Sequence, residues 1–149
     1  DFSQGKFLFL EDVQDPGNVG TMIRTADAAG FTGVIVSDKS ADIYSLKTLR
    51  SMQGSHFHLP IYRMSLASFV EEAKKSNLPI LATTLSKESK DYRELSPLEN
   101  FALVMGNEGQ GISSVMAESA DQLVHIGMKG RAESLNVAVA AGILMFYFS

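Results

Sequence analysis

Three polar stretches, well separated along the chain, hold the residue types from which a reactive site could be built. In the first, Asn18-Val19-Gly20-Thr21-Met22-Ile23-Arg24-Thr25-Ala26, an amide sits where a helix should start and a guanidinium follows six residues on. That separation puts the two groups about 120° apart around a helix, so they need not share a face. Taken alone, a cap plus a surface arginine is the better reading. The second, Gly106-Asn107-Glu108-Gly109-Gln110-Gly111, follows an apolar run and is glycine-rich, a setting in which backbone amides cradle phosphates. It has neither the Gly-Lys-Ser/Thr ending of a P-loop nor the GxGxxG order of a dinucleotide fold. So open a backbone could instead approach a flat neutral ring such as adenine, leaving Glu108 to hold a hydroxyl, an amine or an arginine. A tight turn with a capping acid is the plainer alternative. In the third, Ile126, Met128 and Leu135 can line a pocket while Ser134 and Asn136 supply hydrogen bonds at its mouth. Either of these two could also cap the helix that follows. His56, His58 and His125 lack metal-ligand spacing and read as strand histidines with structural partners.

Positioning these groups falls to alternating apolar runs and amphipathic segments. Phe7–Leu10 reads as a buried strand, Asn18 as the cap of a helix over Val19–Ala29, and Gly33–Ser37 as a second strand. Ile43–Gln53 looks helical, with Ile43, Leu46, Leu49 and Met52 inward. His56–Tyr62 suggests an edge strand bearing Pro60. Ser65 caps a helix over Leu66–Lys75, with Leu66, Phe69, Val70 and Ala73 inward. Pro79–Leu85 is a strand, and Ser86–Leu98 is a polar connection with at most a short helical turn. Phe101–Met105 is a short buried strand, Ile112–Ala120 a modest helix and Leu123–Ile126 the last strand. From Leu135 to Phe148 only Asn136 and Gly142 break an apolar run. A helix apolar all round must be covered by its own domain or by a partner subunit. A bilayer is the weaker option, because spanning one takes about 20 such residues. Strands alternating with helices give an α/β domain with a mainly parallel sheet, whose ligands gather at strand carboxyl ends. The loops after Leu10, Leu85, Met105 and Ile126 are therefore the ones that matter.

At 149 residues the chain has the size of one domain. With no Cys, disulfides, thiolate metal sites and cysteine nucleophiles are excluded, which fits a cytoplasmic protein. Its net charge of -4 argues against a generally adhesive nucleic-acid binder. A local basic surface could still form from Arg24, Lys47, Arg50, Arg63, Lys129 and Arg131, although a scatter of solvated side chains is the better reading of the sequence alone. The chain starts at Asp rather than Met, as a piece of a longer protein would.

Together the three stretches resemble the signature motifs of the SpoU (TrmH-like) family of RNA 2′-O-ribose methyltransferases, in the SPOUT superfamily. The first matches at Asn18, Gly20, Arg24 and Ala26, and the second at Gly106, Glu108 and Gly111. The third matches as Ile126-Gly127-Met128-Lys129-Gly130 and then Ser134-Leu135-Asn136-Val137-Ala138, while Arg50–Pro60 is similar to the family's middle segment. Gly127 departs from the usual Pro, which implies a looser loop. The N-terminal RNA-reading domain of many members is missing.

The resemblance implies an α/β domain with a C-terminal deep trefoil knot, working as a homodimer on S-adenosylmethionine. Cofactor contacts would come from Gly106, Ile126 and Leu135, with Thr84, Leu85, Asn107, Met128 and Gly111. Arg24 would be the catalytic arginine, reaching over from the other subunit and positioned by Asn18 and Glu108. Ser134 and Asn136 would hold the ribose hydroxyl or the loop around it. The implied reaction is methyl transfer to a ribose 2′-hydroxyl of RNA, ribosomal RNA ahead of transfer RNA, without metal or membrane. A knotted RNA-binding module that has lost catalysis is the alternative.

Overall fold

The computed structural model describes residues 2–149. Strands β1 (Lys6–Leu10), β2 (Gly33–Val36), β3 (Ile61–Arg63), β4 (Ile80–Thr83), β5 (Lys90–Asp91), β6 (Phe101–Met105) and β7 (Gln122–His125) form one sheet. Its order is β3-β2-β1-β6-β4-β7-β5, and every adjacent pair is parallel. Helices α1 (Pro16–Ala28), α2 (Leu46–Met52), α3 (Leu66–Lys75), α4 (Ser114–Ser119) and α5 (Val137–Phe148) flank it.

The central strands are continuous apolar runs because both faces of the sheet are covered. Successive side chains of a strand point to opposite faces. Leu8, Leu10, Phe101, Leu103 and Met105 therefore pack with Val19, Met22, Ile23 and Ala26 of α1 and with Ala141, Leu144 and Phe148 of α5. Phe7, Phe9, Ala102 and Val104 pack on the other side with Phe69 and Ala73 of α3 and Met116 of α4.

Four local expectations are corrected. The first helix begins at Pro16, and Asp15 is its cap, its Oδ1 accepting from the Asn18 amide at 3.1 Å. Proline suits the first helical position because its missing N–H would have no partner there. Asn18 thus lies inside the first turn, with its side chain released from capping. In α2, Leu46 is 63% exposed while Thr48 and Met52 are buried. Gly20 explains the swap, since a β-carbon there would sit 2.7 Å from the Thr48 carbonyl oxygen and 3.1 Å from the Met52 amide. At so close a crossing only small or well-placed groups fit inward. The expected strand at His56–Tyr62 is a 3-10 turn (Ser55–Phe57) followed by β3, which does occupy the sheet edge but starts after Pro60. The connection over Ser86–Leu98 contains β5, two polar residues paired with β7 and lacking any apolar period to reveal them.

Asn136 caps α5, its Oδ1 accepting from the amides of Ala138 at 2.8 Å and Val139 at 3.2 Å. Only one side of this apolar helix is covered: Ala141, Leu144, Met145 and Phe148 are buried, whereas Val139, Ile143 and Phe146 form an exposed stripe. No helix among the described residues is long and apolar enough to cross a membrane.

Candidate active site

At the carboxyl ends of β6, β4 and β7, which are neighbours in the sheet, lies a cleft of about 390 Å³. That volume is in the range of small-molecule sites. Thr84 and Leu85 after β4 form part of its wall, with Gly106 to Ile112 after β6 and Ile126, Met128, Ser134 and Leu135 after β7. All eight residues expected to touch a cofactor, Gly106, Ile126, Leu135, Thr84, Leu85, Asn107, Met128 and Gly111, line this one space. The sequence reading missed Thr83, Gln110, Ala140 and Leu144, which also face it. The signal for Ala140 and Leu144 was present, since they lie four apart on the helix that follows the third motif.

The glycine-rich turn is fixed from within. Asn107 and Gly111 exchange backbone hydrogen bonds at 3.1 and 2.9 Å, and Gly111 has φ of 72°, a conformation that favours glycine. A β-carbon on Gly106 would strike the backbone of Gly111 and Ile112, so the strand can turn this tightly only without one. The Asn107 side chain serves the turn as well: its Oδ1 accepts from the Gly109 and Gln110 amides, and its Nδ2 donates to the Asp12 carbonyl at 2.8 Å. Both the backbone and the side chain of Asn107 are thus spent on the turn. Beyond the turn, the buried carboxylate of Glu11 holds the start of α4 by accepting from the Ser113 amide at 2.9 Å and its hydroxyl at 2.5 Å.

One hydrogen-bonded chain ties the three polar stretches together. The Glu108 carboxylate accepts from the amides of Gln14 at 3.1 Å and Asp15 at 2.8 Å and from Asn18 Nδ2 at 3.3 Å. Partial burial pushes this carboxyl up, but the backbone amides of Asp15, Glu108 itself and Gln14, with Asn18, outweigh it and hold the group below its ordinary range. With Nδ2 directed to Glu108, the Asn18 Oδ1 accepts from Asn136 Nδ2 at 3.3 Å. Asn136 thereby gives its oxygen to the α5 cap and one amide N–H to Asn18, keeping its second N–H. Ser134 and Thr84, both at the cleft, make no side-chain hydrogen bond among the described residues, so their hydroxyls are available.

Arg24 is not brought to this chain. It is exposed, lies outside the cleft lining, and forms no hydrogen bond or ion pair among the described residues. The expectation that Asn18 and Glu108 hold Arg24 is not met within one protomer, because Asn18 faces Glu108 and Asn136 on another side of α1.

The third stretch is anchored at Gly127. Its amide donates to Asp91 Oδ2 at 3.1 Å, and Asp91 also receives the Arg93 guanidinium at 2.9 Å. Hydrogen bonds from Arg93 hold the Asp91 carboxyl well below the usual carboxylate range. The φ of Gly127 is not positive, so glycine serves here by supplying an N–H and by lacking a β-carbon, which would sit 2.6 Å from Asp91 Oδ2. The loop is tethered where looseness was expected.

Two further expectations change. Arg63 is withdrawn from the basic surface, since its guanidinium donates to the carbonyls of Ser37, Asp38 and Ala41. His125 pairs with the Ser89 hydroxyl at 2.7 Å and His58 with Asp27 at 3.3 Å, whereas the buried His56 Nδ1 has no partner. Among the described residues no group of three or more His, Asp or Glu could hold a metal ion.

Comparison with known proteins gives a consistent match. The model of the SpoU rRNA Methylase family matches residues 5–146. The chain is 49% identical over 142 residues to the 23S rRNA (guanosine(2553)-2′-O)-methyltransferase RlmP of Bacillus subtilis, covering 95% of this chain and 57% of that protein. Among solved structures, an AdoMet-bound rRNA methyltransferase from Sinorhizobium meliloti superposes with a TM-score of 0.91 at 40% identity, over 95% of this chain and 54% of the other. The A. aeolicus TrmH/SpoU tRNA modifying enzyme gives 0.85 at 35% identity, over 95% and 72%. The chain thus spans little more than half the length of the curated relative.

Proposed function

This chain belongs to the SpoU rRNA Methylase family, and we propose that it is the catalytic domain of an S-adenosylmethionine-dependent RNA 2′-O-ribose methyltransferase acting on ribosomal RNA. The observation that carries the reading is the chain Glu108–Asn18–Asn136, which draws the three motifs to the rim of a single cleft. Ribosomal RNA is preferred to transfer RNA because the 49% identical relative acts on 23S rRNA.

The cleft fits the methyl donor in size and in its mixture of apolar walls, Ile126, Leu135 and Leu144, with exposed turn backbone at Gly106 to Gly111. When bound, the donor supplies an electrophilic methyl on a sulfonium, which passes to the ribose oxygen as the carbon–sulfur bond breaks and the hydroxyl proton leaves. The protein's part is to align the reacting atoms and to ease loss of that proton. Ser134 can hydrogen-bond the hydroxyl, and Asn18 and Asn136 set the loop that presents it. The Arg24 guanidinium carries five N–H donors and no acceptor, so it is a poor base. Its free guanidinium is suited to anchoring a phosphate and stabilising the developing alkoxide.

The same reading takes the domain as a knotted homodimer in the cytoplasm. β7 lies between β4 and β5, inside the excursion that residues 84–100 make from β4 to β6, and α5 then returns to pack on α1. That path supports a C-terminal trefoil knot. The exposed stripe Val139, Ile143 and Phe146, with Leu135, supports a subunit interface through α5. Arg24 would act in the partner's site, as its distance from its own protomer's polar chain suggests. Arg24→Ala should abolish transfer of labelled methyl to ribosomal RNA while calorimetric affinity for S-adenosylmethionine stays within about twofold, since other residues line the donor cleft and the part given to Arg24 is with the RNA. Weak donor binding by the folded variant would overturn this division of labour.

A further inference from the structure

The α5 stripe is wholly apolar, but a second exposed surface has a different composition. From Ile43 to Val70 this acidic chain contains no Asp or Glu; Lys47, Arg50, His56 and His58 fall there, as does Arg63, whose guanidinium is spent on backbone carbonyls. In the same segment Tyr44 is 71% and Phe57 81% exposed. We propose that residues 43–58 form a stacking platform for single-stranded RNA beside Arg24, with Tyr44 and Phe57 receiving bases and Lys47 and Arg50 meeting phosphates. The proposal rests on the RNA-methyltransferase reading and deepens it by placing the substrate strand.

Water-exposed aromatic rings among unpaired cations are the composition that nucleic acids select: every base has a π-face, and each phosphate needs a counter-charge. The Phe57 ring is backed by His56 at 4.0 Å between centroids, which steadies one face and leaves the other to a ligand. Leu46 and Arg50 lie four apart on the outer side of α2, and neither Lys47 nor Arg50 engages a carboxylate among the described residues. The nearby acids are occupied, Asp27 by His58 at 3.3 Å and Asp42 by the Tyr44 amide at 2.9 Å.

Continuity with the site comes through α1. Gly17, Gly20, Arg24 and Asp27 share a stripe about 80° wide. Its start meets Lys47, whose Cε lies 3.6 Å from where a Gly17 β-carbon would be, and its end meets His58 through Asp27. Arg24 falls between these contacts, so the platform runs along the proposed catalytic arginine. A second copy of this chain is the disfavoured occupant, because docking here strips water from Lys47 and Arg50, a cost the apolar α5 stripe does not carry.

The test measures anisotropy of a fluorescent single-stranded RNA with wild type, Phe57→Ala, Tyr44→Ala, Phe57→Leu and Phe57→Trp, alongside donor calorimetry and light scattering. Each ring removed should weaken RNA binding roughly 5- to 100-fold, with donor affinity and particle mass unchanged. Phe57→Trp should retain binding where Phe57→Leu does not, and an abasic strand should bind wild type and Phe57→Ala alike. Lys47→Ala or Arg50→Ala should reduce the salt slope by about 0.7 per phosphate contact. Unchanged RNA affinity in the alanine variants, or full rescue by leucine, would overturn the platform. A fall in particle mass would instead reveal an interface between copies. Wild-type protein that binds donor but no RNA would overturn the platform and leave the donor site standing; failure to bind donor would strike the functional reading itself.

Discussion

Replacing Asn136 separates its two duties. Its oxygen caps α5 by accepting from the Ala138 and Val139 amides, and its nitrogen donates to Asn18. Asn136→Ala removes both. Loss of such a cap costs about 1 kcal/mol, and an exposed 3.3 Å side-chain hydrogen bond adds about 0.5. The variant should therefore lose about 1.5 kcal/mol, a fall in melting temperature of roughly 3–6 °C for a domain of this size. Asn136→Asp keeps the capping oxygen and adds a negative charge at a helix N-terminus, worth about 0.3–1 kcal/mol. It has no N–H for Asn18, whose amide must turn over to donate to the new carboxylate and so present its oxygen to Glu108. Stability should stay within about 0.5 kcal/mol of wild type by urea unfolding, the lost bond and the gained charge nearly cancelling. Methyl transfer to ribosomal RNA should nevertheless drop about tenfold or more, the scale of a misaligned reacting group. Equal destabilisation of the two variants would refute the capping role. Full activity in Asn136→Asp would refute the claim that the Asn18 orientation matters.

Three further outcomes are expected. The Glu108 carboxyl is held below its ordinary value, so its contribution to stability is complete above about pH 4.5 and disappears as the pH falls through the lower folded value. Glu108→Gln should flatten that acid limb in unfolding curves, and an unaltered limb would contradict the geometry. Gly106→Ala forces a methyl into the Gly111–Ile112 backbone and should cost about 1–3 kcal/mol, with donor binding lost to calorimetry. Gly127→Pro removes the N–H held by Asp91 and crowds that carboxylate. Donor affinity should fall several-fold and the melting temperature by roughly 2–4 °C, because a part-buried hydrogen bond worth about 1 kcal/mol is lost.

Much of the fold could be read from the chain because its cause is local. The run Phe101–Met105 is a strand over those same residues, apolar throughout since α5 and α3 cover its two faces. Ser65 caps α3 as its position predicts. Errors arose where a distant segment decided the outcome. Leu46 turned outward because Gly20, far earlier in the chain, admits α2 so closely. β5 exists only through its pairing with β7. The site residues were legible as types and loops, and their common cleft follows from strand order. That the Asn18 amide turns to Glu108 and Asn136 could not be read from spacing, because it depends on which side of α1 meets α5.

The last of the three linked residues in sequence also heads the final helix. Until a ribosome has released residues 137–148, Asn136 has no amides to cap and Asn18 lacks the neighbour that turns its oxygen. Growing polypeptides would thus lack the complete Glu108–Asn18–Asn136 chain, and the three polar stretches would be joined only with completion of α5.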